Sequence, residues 1–129
     1  MKKNIYSFLI LVSAMSCNDL PNEDSIKAFI PGWYIAYYEN EFHETYDTLD
    51  IKNNGMPGAS VYEIAHRCRT TTHIDGRDLP ENYKVELWTG IYDEQKKIMT
   101  ESKHGSVITF DPENNILKKA TRIYKKIAR

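Results

Sequence analysis

The chain is short of several things at once, and each shortage excludes a class of protein. Among 129 residues it has only two cysteines, Cys17 and Cys68, so no multi-bridge disulfide framework holds it together. Six glycines and five prolines are too few for a fibrous or low-complexity chain. A net charge of −1 lacks the basic excess of a general nucleic-acid binder. The apolar run at residues 5–16 is well short of the roughly 20 residues that a helix needs to cross a bilayer. There is no glycine-rich phosphate loop, no Gly-x-Ser-x-Gly elbow and no Asp-x-Asp-x-Asp-Gly calcium loop. At this length there is room for one domain.

What is present begins with an address. Lys2 and Lys3 precede a short apolar stretch and then the small residues Ser13, Ala14 and Ser16, the layout of a secretory signal over residues 1–16. Cys17 follows directly. The tetrad Ala14-Met15-Ser16-Cys17 resembles the lipobox of bacterial lipoproteins, which implies a chain cleaved before Cys17 and acylated on it. Cleavage after Ser16 by a general signal peptidase, giving a soluble periplasmic or secreted protein, is the competing reading. Residues 17–28 are polar, acidic and proline-bearing, as expected of a flexible tether, with one helical turn allowed near 24–29. The expected location is the cell envelope, with the domain held to the outer or inner membrane through its lipid.

Residues 29–129 read as a single domain of many short strands. Aromatic and β-branched runs recur at 32–38, 45–52, 61–74, 83–92, 97–101, 106–110, 116–117 and 122–127. Turn residues separate them: Asn53-Asn54-Gly55, Asp75-Gly76, Asp93-Glu94, His104-Gly105 and Asp111-Pro112. About eight strands so spaced predict an all-β fold, an antiparallel up-and-down meander closed as a barrel, with a β-sandwich as the alternative. Alternation sets Asp47, Leu49 and Ile51 on one face, and Tyr62, Ile64, His66 and Cys68 on one face of the next strand. In the fourth strand Tyr83, Val85 and Leu87 alternate with Lys84, Glu86 and Trp88. Tyr92-Asp93 before Lys97-Ile98 is echoed eighteen residues on by Phe110-Asp111 before Asn115-Ile116, which suggests a repeated turn.

Chemistry-bearing residues are scattered. His66 and Cys68 share a strand face, but nothing else is spaced to complete a tetrahedral metal site, and side chains two apart on a strand project in parallel. No catalytic residue, metal ligand or cofactor is therefore expected. An acidic block (Glu39, Glu41, Glu44, Asp47, Asp50) and a basic tail (Lys118, Lys119, Arg122, Lys125, Lys126, Arg129) would lie on neighbouring strands if the barrel closes first to last. Cross-strand pairing is the simpler reading, a cation or anion site the sharper one. The aromatic surplus of 12% directs attention to Trp33, Tyr37, Trp88 and Tyr92 as residues lining a ligand-binding mouth.

The start Pro31-Gly32-Trp33-Tyr34, the hairpin Trp88-Thr89-Gly90-Ile91-Tyr92-Asp93, the pair Phe110-Asp111 and Tyr124 together resemble small lipocalin-like bacterial lipoproteins. The chain is also similar to short exported proteins found beside conjugative-transfer genes. The resemblance implies a lipocalin-like barrel and a non-enzymatic envelope lipoprotein that binds a protein partner or a small apolar ligand. A periplasmic inhibitor or exclusion-type protein, acting on a partner enzyme or transfer apparatus, is the alternative.

Overall fold

The structure is a computed structural model that describes residues 25–55 and 58–128. The expected signal segment and Cys17 lie outside those residues. What is described is a short helix followed by nine strands: α1 (Ser25–Phe29), β1 (Gly32–Glu39), β2 (His43–Asn53), β3 (Val61–Ile74), β4 (Arg77–Asp78), β5 (Asn82–Asp93), β6 (Ile98–Glu101), β7 (Val107–Asp111), β8 (Ile116–Lys119) and β9 (Arg122–Ile127). The last residues assigned to the tether are thus helical, and Ile26 and Phe29 pack on the core.

Every pairing is antiparallel. The sheet runs β2-β1-β9-β8-β7-β6-β5-β3, and β2 pairs again with β3, which closes eight strands into an up-and-down barrel. That closure, along the whole of β2 from His43↔Thr72 to Asn53↔Tyr62, makes the fold a barrel and not a sandwich. The two-residue β4 is an extra strand that extends the β3 hairpin beyond the ring. The Asp75-Gly76 turn has both φ angles positive, at 51° and 72°, as a tight two-residue hairpin requires.

The repeated acid-led turns have a common form. Asp93 Oδ1 accepts bonds from the main-chain N–H of Gln95 and Lys96, and Asp111 Oδ1 accepts one from Asn114. Each turn ends on a left-handed residue, Lys97 at φ 60° and Asn115 at φ 59°. An acid that caps the turn and a residue able to turn left account for the echo eighteen residues apart.

One end of the barrel is sealed. Tyr34, Leu49, Ile51, Tyr62, Ile64, Met99, Ile108, Leu117 and Tyr124 point inward and are almost wholly buried. Phe29 at the end of α1 meets Tyr34 and Phe110 edge-on, with ring centroids 5.8 and 6.4 Å apart. The carbonyls that end a helix need partners. Tyr34 Oη donates to the carbonyls of Phe29 (2.8 Å) and Ile30 (2.9 Å), and Lys126 Nζ donates to that of Phe29. Lys126 also lies 4.2 Å from the centre of the Phe29 ring, and burial pulls its pKa down. Gly90 is needed inside: a Cβ there would come within 2.5 Å of Met99 Sδ and 3.0 Å of Ile64 Cδ1.

The other end is uneven. β5 pairs with β3 from residue 82 to 91 but with β6 only from 90 to 93. β1 pairs with β2 along its length but with β9 only at residues 33–35. A four-stranded wall of β1, β2, β3 and β5 therefore projects past the short strands β6–β9, and the barrel stands half open there.

Candidate functional site

The projecting wall has two faces with different chemistry. On its inner face, strand alternation delivers polar residues to the floor of the open end. Asp47 is 1% exposed and is held by three groups: Tyr124 Oη donates at 2.8 Å, Arg122 Nη1 at 3.2 Å, and His66 Nε2 completes the set. Burial pushes the Asp47 carboxyl up, but the His66 and Tyr124 bonds and the Arg122 charge outweigh it, and its pKa lies below the ordinary range. Burial, followed by the Asp47 charge and hydrogen bond, drives the Tyr124 phenol far up, so it stays a donor. Arg122 also stacks over Tyr38, 4.0 Å from its ring centre.

Trp88 pins this floor. His66 stacks on it at 4.5 Å, His104 meets it edge-on at 5.6 Å, and Lys119 Nζ lies 5.2 Å from its ring centre. Its Nε1 donates to Glu86 Oε2 at 2.9 Å, and Glu86 also pairs with Lys84 at 2.8 Å. Those two hydrogen bonds draw the Glu86 carboxyl down to about 2. Beside it, buried Glu101 accepts main-chain bonds from Lys103, His104 and Ser106 and locks the turn between β6 and β7. Burial raises the Glu101 carboxyl, yet those bonds leave it below its usual value. Apart from His66 Nδ1, which is buried without a hydrogen-bond partner, these groups are satisfied by one another, by main-chain N–H groups or by the Trp88 ring, so the inner floor is chiefly a structural network.

The outer face of the same wall is different. The registers align its outward residues in rows across four strands. Tyr37, Tyr46, Arg69 and Tyr83 form one row; Ile35, Thr48, Arg67 and Val85 the next; Trp33, Asp50, Ala65 and Leu87 the third. The Tyr37 and Tyr46 rings lie 4.8 Å apart, Arg69 covers Tyr46 at 4.9 Å, and Arg67 covers Trp33 at 5.2 Å. Together Trp33, Ile35, Tyr46, Thr48, Arg67, Arg69 and Tyr83 line a shallow pocket of about 210 Å³. Arg69 Nε bonds Glu81 at 3.0 Å, whereas Arg67 Nη1 is buried without a hydrogen-bond partner and only approaches Asp50, at 3.8 Å. A buried guanidinium nitrogen left unsatisfied is unusual, and an incoming acceptor would satisfy it.

The four aromatics singled out in the sequence are divided by this geometry. Trp33 and Tyr37 lie on the outer wall, Tyr37 nearly half exposed and bonded through Oη to Glu39 and Glu44. Trp88 and Tyr92 are buried inside, at 3% and 2% exposure. They do not share a mouth. Tyr46, Arg67, Arg69 and Tyr83, which complete the outer pocket, carry a signal that alternation contains: aromatics and arginines fill outward positions where a solvated barrel normally puts small polar residues. The acidic block and the basic tail meet at Asp47–Arg122, Glu39 and Glu44 share the Tyr37 hydroxyl outside, and Asp50 faces outward elsewhere, so the block as a whole does not gather at one site. Among the described residues no three His, Cys, Asp or Glu side chains gather as metal ligands, and Cys68 makes no disulfide. Among them, too, no helix is long and apolar enough to cross a membrane. Compared with protein-family models, curated proteins and solved structures, the chain matches none of them.

Proposed function

We propose that the protein is an exported, lipid-anchored envelope protein without enzymatic activity, and that it works by docking a protein partner on the outer wall of its barrel. One observation carries this reading. The sealed end of the barrel is filled by its own side chains and the floor of the open end is a hydrogen-bonded network, whereas the outer wall presents the pocket of Trp33, Ile35, Tyr46, Thr48, Arg67, Arg69 and Tyr83. Aromatic and arginine side chains are the residues most enriched at the centres of protein interfaces. Arg67, with a nitrogen awaiting an acceptor, favours a partner that brings a carboxylate or a main-chain carbonyl into the pocket. The packed sealed end and the charged floor above it weigh against an apolar small molecule held inside the barrel. The anchor in this reading is Cys17, acylated after cleavage of residues 1–16.

Two measurements test it. Metabolic labelling with a radioactive fatty acid marks the wild-type protein and not Cys17→Ser; equal labelling of both removes the anchor. A photo-crosslinking residue placed at Tyr46 in living cells gives a discrete protein adduct, and one at Thr109, outward on β7, does not. Equal adducts from both positions would deny the wall its role.

A further inference from the structure

The part of β5 that projects past β6 has a free edge. Thr89 donates its N–H to Ser102 Oγ and accepts from the Ser102 N–H, so its main chain faces the β6 side. Tyr92, of opposite parity, donates to the Ser60 carbonyl on the β3 side. The β3–β5 register runs without a break from Val61↔Ile91 to Thr70↔Asn82. Backbone alternation in an antiparallel ladder then points the N–H and C=O of Leu87, Val85 and Tyr83 away from β3, the same way as those of Thr89. Among the described residues no strand pairs with that stretch of edge. Its outward side chains are apolar and open to solvent: Tyr83 57%, Val85 50% and Leu87 70% exposed. An unpaired edge without a bulge or proline, with apolar side chains on its outer side, is a template for another strand.

The sequence of the edge names the strand that fits. Tyr83-Lys84-Val85-Glu86-Leu87 is complementary to itself read backwards. We infer that two copies of the chain pair edge to edge through residues 83–87, antiparallel about a two-fold axis at Val85. In that register Val85 faces Val85 of the second copy, Tyr83 faces its Leu87, and Lys84 faces its Glu86. The edge-facing residues 83, 85 and 87 all fall in narrow pairs, each exchanging two main-chain hydrogen bonds. Each Glu86 carboxylate, already 2.8 Å from Lys84 of its own chain, sits between that ammonium and the one from the second copy. Moving the axis one residue either way sets Lys84 against Lys84 or Glu86 against Glu86, and like charges directly opposed destabilise a ladder. Charge therefore selects the register that the apolar side chains also prefer. The pairing fuses two four-stranded walls into one and brings the two Tyr83 pocket edges to either side of the seam. It stands independently of what the outer pocket binds.

Sedimentation equilibrium of the full exported chain carrying Cys17→Ser, across rising protein concentration, tests the pairing. The parent is expected to associate reversibly to twice its monomer mass. Val85→Pro removes an edge N–H that makes no bond to β3, and should leave a folded monomer with an unchanged far-ultraviolet dichroism spectrum. Lys84→Glu opposes two pairs of like charges across the axis and should raise the dimer dissociation constant about tenfold. Tyr46→Ala, which strips the outer pocket, should leave the dimer intact. A parent that stays monomeric throughout overturns the inference, and so does a folded Val85→Pro that still dimerises. If Val85→Pro fails to fold, an unchanged dissociation constant in Lys84→Glu overturns it.

Discussion

The two ends of this barrel are built from the same strands and the same alternation, yet they behave as different materials. Along β2 the inward residues pass from Ile51 and Leu49 to Asp47 and Thr45. Along β3 they pass from Tyr62 and Ile64 to His66 and Cys68, and along β5 from Tyr92 and Trp88 to Glu86 and Lys84. The change occurs where β6–β9 stop and can no longer shut water out. At the sealed end a helix and an apolar core do the holding, through burial at roughly 25 cal/mol per Å². At the open end stability rests on paired charges and hydrogen bonds, each of which contributes little net but leaves a costly orphan when its partner is removed.

The difference between the ends is tested first by truncation. Leu49→Ala, inside the sealed end, is expected to lower the unfolding free energy by about 2–5 kcal/mol. Cys68→Ala, inward at the open end and partly exposed, should cost less than about 1 kcal/mol. Denaturant melts of the two variants measure this directly, and comparable losses would erase the distinction. Overpacking comes next. Gly90→Ala should cost about 1–3 kcal/mol, because Met99 and Ile64 have to give way in a filled interior.

Acid is a probe of the open end. Asp47 and Glu101 lie below their usual carboxylate values in the fold, and Glu86 is drawn to about 2. A group whose folded pKa is depressed adds stability above its unfolded pKa and loses it as the pH falls through the folded one. The barrel should therefore weaken as the pH drops from about 5 toward about 2. Asp47→Asn should cost about 1–3 kcal/mol at neutral pH and flatten part of that acid loss. Urea midpoints across pH decide it: parallel profiles for parent and variant would mean that Asp47 does not titrate with folding. The smallest effect is a gain. Lys97 sits at φ 60°, where a side chain is strained, so Lys97→Gly should stabilise by about 1 kcal/mol or less. A lower melting point in that variant would contradict the turn assignment.

Much of the fold is legible in the sequence. The periods of two in 45–52 and 61–74, and the turn dipeptides between runs, are local properties of the chain, and the strands fall where they indicate. The orientation of β5 was harder. By composition Tyr83, Val85 and Leu87 look like its buried face, yet they point outward. Trp88, Gly90 and Tyr92 fill the sealed end, and one unbroken strand must then turn Lys84 and Glu86 inward as well. The same parity separated Trp33 and Tyr37 from Trp88 and Tyr92, so half of the expected binding residues became core. The outer pocket needed four strands in register, which no local pattern reveals.

By itself the sequence determined the eight strands of the ring, the acid-led turns and which residues of a strand share a side, because alternation and turn chemistry act over a few residues. Only the tertiary structure decided which side is inside, where the barrel stays open, and which edge of β5 is left without a neighbour. Those depend on unequal strand lengths meeting around a closed ring, a long-range condition that each segment satisfies only in the company of the others.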